Sequence, residues 1–162
     1  MSRLFGIEDA LDTDAWYTPP SIFEGLGLEF DLDVAHPSET LPWIPARVRY
    51  TVADDGLTMP WFGLVWANPP YSAPTAWCKR WSEHPDGCIL LRADLSTSGP
   101  FAAFSAASSM WVPSKRLQFV NGRGGATGAV NFSTVLLGRG AMADAGIERL
   151  AKAQGGAARW LS

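Results

Sequence analysis

The chain has 162 residues, enough for one domain with a real core and too few for a second full-sized one. Its 47% apolar and 18% charged residues exclude a disordered chain, and no apolar run approaches the roughly 18–20 residues that span a membrane. A net charge of −3 excludes a protein that grips nucleic acid by bulk positive charge, so any such contact needs a local basic patch or a partner.

Elements are predicted in chain order as follows. Thr18 before Pro19-Pro20 reads as an N-cap with proline in the first turn, opening a helix that stops near Gly25 and Gly27. Strands follow at 30–34, 47–52 and 62–66, the last an apolar run suited to the sheet centre. Ser72 caps a helix over 73–83, and 88–91 is a buried strand. A helix near 101–107, strands near 110–112, 117–120 and 132–137, and an amphipathic helix over 143–154 complete the chain. This alternation predicts an α/β layered fold, with the closely spaced late strands added antiparallel at one edge.

The strongest chemical signal is Asn68-Pro69-Pro70-Tyr71, directly after an apolar strand. Open α/β sheets bind ligands at the carboxyl ends of their strands, where this tetrapeptide falls. Two prolines stiffen the turn, so that the Asn68 side chain and the Pro69 carbonyl are held as paired acceptors. Paired acceptors suit the two N–H bonds of an aromatic amine, drawing a poor nucleophile toward tetrahedral geometry and stabilising the positive charge of attack. Tyr71 offers a ring to stack on a base that has left its duplex. A plain Pro-Pro turn is the structural alternative.

Cys78 and Cys88 lack metal-type spacing and read as reduced packing residues; His36 and His84 are isolated, so no metal site is expected. The opening Met-Ser-Arg-Leu-Phe does not resemble a secretory signal, which points to the cytoplasm.

The tetrapeptide resembles the catalytic motif of amino-methyltransferases, and residues 14–138 resemble the phage-type DNA N6-adenine methyltransferases. The resemblance rests on Trp16-Tyr17-Thr18-Pro19-Pro20, Phe30-Asp31-Leu32-Asp33-Val34-Ala35, Asp54-Asp55-Gly56-Leu57 and Ala67 to Ser72, in that order. It implies a compact Rossmann-like methyltransferase sheet with helices on both faces; the length predicts a single domain over 1–162, and no separate target-recognition domain is visible in the sequence. The resemblance further implies S-adenosylmethionine as cofactor, DNA as partner, and a phage or prophage origin. Catalysis then falls to Asn68, Pro69, Pro70 and Tyr71. Cofactor contacts fall to Tyr17, Thr18 and Pro19, to Asp33 and Ala35 at the end of the first strand, and to Asp55. Thr18 as a helix cap, Asp33 on a solvated edge and Asp55 in a turn are the structural readings of the same residues.

Two departures stand out. His36-Pro37-Ser38 replaces the usual glycine-rich loop, and no clear acidic residue ends a second strand to hold the ribose, Glu39 being a weak candidate. Arg92 and Asp94 follow the 88–91 strand and line either the target-base side or an ordinary loop. Lys115, Arg116 and Arg123, beside a glycine-rich loop over 121–128, form the candidate DNA patch, with a surface hairpin as the alternative. Competing activities are methylation of cytosine N4, an RNA adenine or a protein glutamine, or a catalytically silent nucleic-acid-binding module.

Overall fold

A computed structural model describes residues 17–37, 42–120 and 132–161. In chain order these form helix α1 (Pro20–Leu26), strands β1 (Phe30–Asp33), β2 (Ala46–Arg49) and β3 (Val65–Ala67), helix α2 (Thr75–Glu83), strand β4 (Gly87–Arg92) and helix α3 (Ser98–Ala106). Strands β5 (Ser109–Val112) and β6 (Thr134–Arg139), helix α4 (Ala141–Gln154) and strand β7 (Ala157–Trp160) follow. The strands make one sheet in the order β2-β1-β3-β4-β6-β5-β7. β2, β1, β3 and β4 are parallel. β6 runs antiparallel between β4 and β5, and β7 pairs antiparallel with β5.

Residue alternation along the central strands explains the layers. Trp66, Cys88, Leu90 and Leu136 point into one core, closed by Ile22, Phe23 and Leu26 of α1 and by Ala143, Ile147 and Leu150 of α4. Val65, Ala67, Ile89, Leu91, Val135 and Leu137 point into the other, closed by Cys78 and Trp81 of α2 and Ala103 of α3. The expected α/β sheet with an antiparallel edge and helices on both faces is therefore present. β1 interrupts the alternation: the Asp31 and Leu32 amides both approach the Leu64 carbonyl, at 2.9 and 3.4 Å. This bulge sends Phe30 into the first core and Leu32 into the second.

Several predicted elements move. Thr18 does not cap α1; Pro19 holds the cap position without a side-chain bond, and Gly27 ends the helix at φ 62°, a conformation that favours glycine. The predicted 47–52 strand ends at Arg49, because Val52 to Asp54 turn outward, and Val52 is 84% exposed. The 62–66 strand starts three residues late, because Gly63 turns at φ 64° while Asp31 accepts the Leu64 amide at 2.8 Å. Helix α2 starts at Thr75 rather than 73, with Pro74 and not Ser72 at its cap position.

The 117–120 segment is not a strand. Leu117 and Phe119 are buried in the first core, but only Val120 bridges, to Tyr17. Strand β7 was not foreseen. Gly155 and Gly156, at φ 72° and 80°, turn the chain from α4 back onto β5.

Candidate active site

Strand order reverses around β1, with β2 on one side and β3 on the other. The crevice at such a reversal, beside the strands' carboxyl ends, is the general ligand position of open α/β sheets. Here β1 ends at Asp33 and β3 runs into Asn68-Pro69-Pro70-Tyr71. The Asn68 amide nitrogen donates to Thr18 Oγ1 at 3.3 Å, which orients the side chain and sets its carbonyl oxygen, the acceptor end, away from Thr18. Thr18 is itself pinned: its carbonyl accepts Trp43 Nε1 at 3.0 Å, and the neighbouring Tyr17 carbonyl accepts the Val120 amide at 3.0 Å. Tyr17-Thr18-Pro19 thus ties together the approach to β2, the end of β3 and the segment after β5. Pro69 is buried and Pro70 exposed, and the Pro70 carbonyl accepts the Ala73 amide to close the turn.

Asp33 is 1% exposed, not on a solvated face. One carboxylate oxygen accepts the Ala35 amide at 3.2 Å and the other meets His36 Nδ1 at 2.7 Å. Burial raises the Asp33 pKa above its ordinary value, opposed by the His36 bond and charge, the Ala35 amide and the charge of Arg49. Asp33 therefore holds the 34–36 turn that takes the place of a glycine-rich loop. His36, set aside as isolated in the sequence, is its buried partner; their spacing of three residues was the visible signal.

Asp55 lies exposed in a tight loop at φ 57°, with Oδ1 accepting the Leu57 amide at 3.3 Å. That loop is built onto the end of β1. A Cβ on Gly56 would fall 2.0 Å from the Val34 carbonyl, so only glycine lets the backbones approach. Arg80 clamps the loop through the Gly56, Leu57 and Met59 carbonyls and lies over Trp61, which donates to the Gly56 carbonyl at 2.7 Å.

Tyr71 is half-buried, with its ring edge-on to Phe119 and Phe132 at 6.2 and 5.5 Å between centroids. Among the described residues its hydroxyl is buried without a partner, and burial raises its pKa, opposed by the charge of Arg92. Because β6 is antiparallel to both β4 and β5, the carboxyl ends of β4 and β5 share one edge with those of β1 and β3. Lys115 and Arg116, exposed just beyond Val112, therefore stand on the same edge as Asn68. Arg123 and the 121–128 loop, like Trp16 and Glu39, lie outside the described residues. Trp43, Phe119 and Phe132 belong to the surroundings of the site and were not singled out in the sequence, where each resembles any core aromatic.

Cys78 and Cys88 are buried in opposite cores, and burial pushes the Cys78 thiol up to about 12 and that of Cys88 higher. His84 Nε2 meets the Gly63 carbonyl at 2.7 Å. Among the described residues no group of three or more His, Cys, Asp or Glu is placed to hold a metal, and no helix is long and apolar enough to cross a membrane.

No curated protein matches the chain. The family model of DNA N-6-adenine-methyltransferase (Dam) matches residues 8–141, which span the Tyr17–Pro19 segment, the ends of β1 and β3, and the Lys115-Arg116 pair. Over most of its length, and across every part of the edge just described, the chain belongs to the DNA N-6-adenine-methyltransferase (Dam) family.

Proposed function

We propose that the chain transfers a methyl group from S-adenosylmethionine to the N6 amine of a flipped-out adenine in DNA, through Asn68-Pro69-Pro70-Tyr71. The observation that carries this reading is the position of Asn68 at the end of β3, beside the sheet reversal and oriented by Thr18, in a chain of this family.

Asn68 and the Pro69 carbonyl accept the two amine hydrogens, and their dipoles stabilise positive charge as it develops on N6. The proline pair keeps these acceptors fixed before substrate arrives, so little reorganisation accompanies the reaction. Tyr71 supplies the aromatic surface for the extruded base. Its contacts with Phe119 and Phe132 fix the ring, and the base stacks on the part left open.

S-adenosylmethionine supplies the electrophilic methyl group when bound. The crevice residues fit such a group. Asp33 is a buried carboxylate whose raised pKa an adjacent cation would offset, Asp55 is an exposed carboxylate beside it in the fold, and Thr18 offers a hydroxyl. Tyr17, Pro19 and Ala35 line the same crevice by this reading, with Asp33 acting partly through the Ala35 backbone it holds. Lys115 and Arg116, with Arg123, neutralise DNA phosphates.

The test is to incubate unmethylated DNA with the protein and S-adenosylmethionine, digest it to nucleosides and separate them. N6-methyladenosine as its deoxynucleoside supports the reading, N4-methylcytosine would move the chemistry to another amine, and neither product would remove the activity.

A further inference from the structure

The arginines of this chain are not equivalent. Arg47 pairs with Glu29, while Arg49, Arg80, Arg139, Arg149 and Arg159 donate to backbone carbonyls. Arg92 does neither. Among the described residues its guanidinium makes no ion pair or hydrogen bond, and it lies 4.5 Å above the centre of the Phe132 ring. The side chain is exposed, so its five N–H donors face solvent in an orientation that the ring has already restricted.

Its place in the fold is equally specific. In the β3–β4 register Ala67 pairs with Ile89, so β4 continues three residues past that pair and Arg92 stands level with the turn that follows Asn68. Phe132 packs edge-on against Tyr71, so one ring separates the guanidinium from the catalytic motif. The sheet reversal lies between β1 and β3, on the far side of β3 from Arg92. Arg92 instead faces the side carrying β5 and the Lys115-Arg116 segment. A forked, pre-oriented cation there matches a phosphodiester oxygen pair better than a ligand in the β1–β3 crevice.

We infer that Arg92 binds a DNA phosphate flanking the target adenosine, positioning the nucleotide over Asn68 and Tyr71. The inference rests on the proposed function for the identity of the target, and Arg92 acts as a positioning residue.

Arg92→Gln and Arg92→Lys are compared with the parent in three measurements: binding to a mixed-sequence 30-base-pair duplex across a salt series, calorimetric binding of S-adenosylmethionine, and single-turnover methyl transfer at saturating DNA. Arg92→Gln should make the salt slope shallower by about 0.9, the value for one phosphate, and should slow transfer roughly tenfold, with cofactor binding unchanged. Arg92→Lys keeps the charge and should restore the slope, but it loses the stacked fork and should recover only part of the rate. An unchanged slope in Arg92→Gln overturns the inference, and weaker cofactor binding in that variant does so by moving the guanidinium to the cofactor. A shallower slope with a parental rate also overturns it, because the phosphate then lies away from the target. If the parent produces no N6-methyladenine, the proposed function fails, while the slopes still decide whether Arg92 holds a phosphate.

Discussion

The parallel and antiparallel halves of the sheet both bury polar groups, but they use them differently. In the antiparallel half the Ser108 and Ser109 hydroxyls each donate to Asp144 at 2.6 Å, fastening β5 to α4. Those bonds join two elements of the fold and lie among Trp111, Leu136, Ala143 and Ile147. In the parallel half Asp33, His36, Thr18 and Asn68 gather at the carboxyl ends of short strands, beside the crevice. Polar burial in the first case joins two elements of the fold; in the second it surrounds the crevice to which the proposed chemistry is assigned. The difference follows from topology. Parallel strands bring their carboxyl ends to one edge, whereas an antiparallel partner returns the chain to the opposite one.

Two substitutions of similar energetic size should separate the halves. Leu136 is fully buried at the centre of β6, and Leu136→Ala should destabilise the fold by about 2–5 kcal/mol, read from denaturant unfolding. Turnover per folded molecule should stay near parental. Asn68→Ala should do the reverse, slowing single-turnover transfer by about a hundredfold, on the order of 3 kcal/mol at the barrier. Its unfolding curve and cofactor affinity should hardly move. If Asn68→Ala instead unfolds, the tetrapeptide is a structural turn and the division between the halves disappears.

How much was legible in the sequence follows the same division. Continuous apolar runs such as Cys88-Ile89-Leu90-Leu91 were readable because both faces of the central sheet are covered, and the Asn68–Tyr71 motif was readable because it joins four particular residues in a fixed order. The edges were harder to read. Strand β7 is Ala-Ala-Arg-Trp, with no apolar alternation, because it pairs with one neighbour and its Arg159 and Trp160 are exposed. Leu117 and Phe119 showed the opposite failure: they alternate like a strand but pack into the core without a ladder. At the site, pairings such as Thr18 with Asn68, fifty residues apart, depend on the chain's return across the sheet and leave no local pattern. Asp33–His36 was local, but its burial depends on Tyr50 and the turn over β2.

A smaller effect is expected at Tyr71, where the half-buried ring and its hydroxyl separate the two uses of a polar group within one residue. Among the described residues the hydroxyl is buried without a partner, so Tyr71→Phe removes an uncompensated group while keeping the ring. Stability should hold or rise by up to about 1 kcal/mol, and single-turnover transfer should stay within a few-fold of parental. Tyr71→Ala, which loses the aromatic surface, should lose about 1–3 kcal/mol of base stacking in the transfer assay. A Tyr71→Phe variant as slow as Tyr71→Ala would mean that the hydroxyl, not the ring, serves the reaction.

The smallest expected effect concerns Asp33, and it tests whether the buried polar groups of the parallel half lower stability. Burial is the largest influence on this carboxyl and raises its pKa in the folded chain above the ordinary value of 3.8, against the opposing His36, Ala35 and Arg49 contributions. The folded chain therefore holds this proton more tightly than the unfolded chain does. The resulting stabilisation is fully present below the unfolded value and is lost as pH rises through the folded one. Asp33→Asn keeps the shape and carries no titrating proton there. The parent-minus-variant difference in Tm should consequently be most favourable to the parent near pH 4 and shrink toward pH 7.5. The His36 imidazole is the side-chain partner of this carboxylate at 2.7 Å, so the comparison is repeated in a His36→Gln background, where the trend should steepen because an ionised Asp33 loses its partner. A difference that instead grows in the parent's favour with pH would show that the imidazole contact outweighs desolvation. The pair would then stabilise the parallel half as the serine–aspartate bonds stabilise the other.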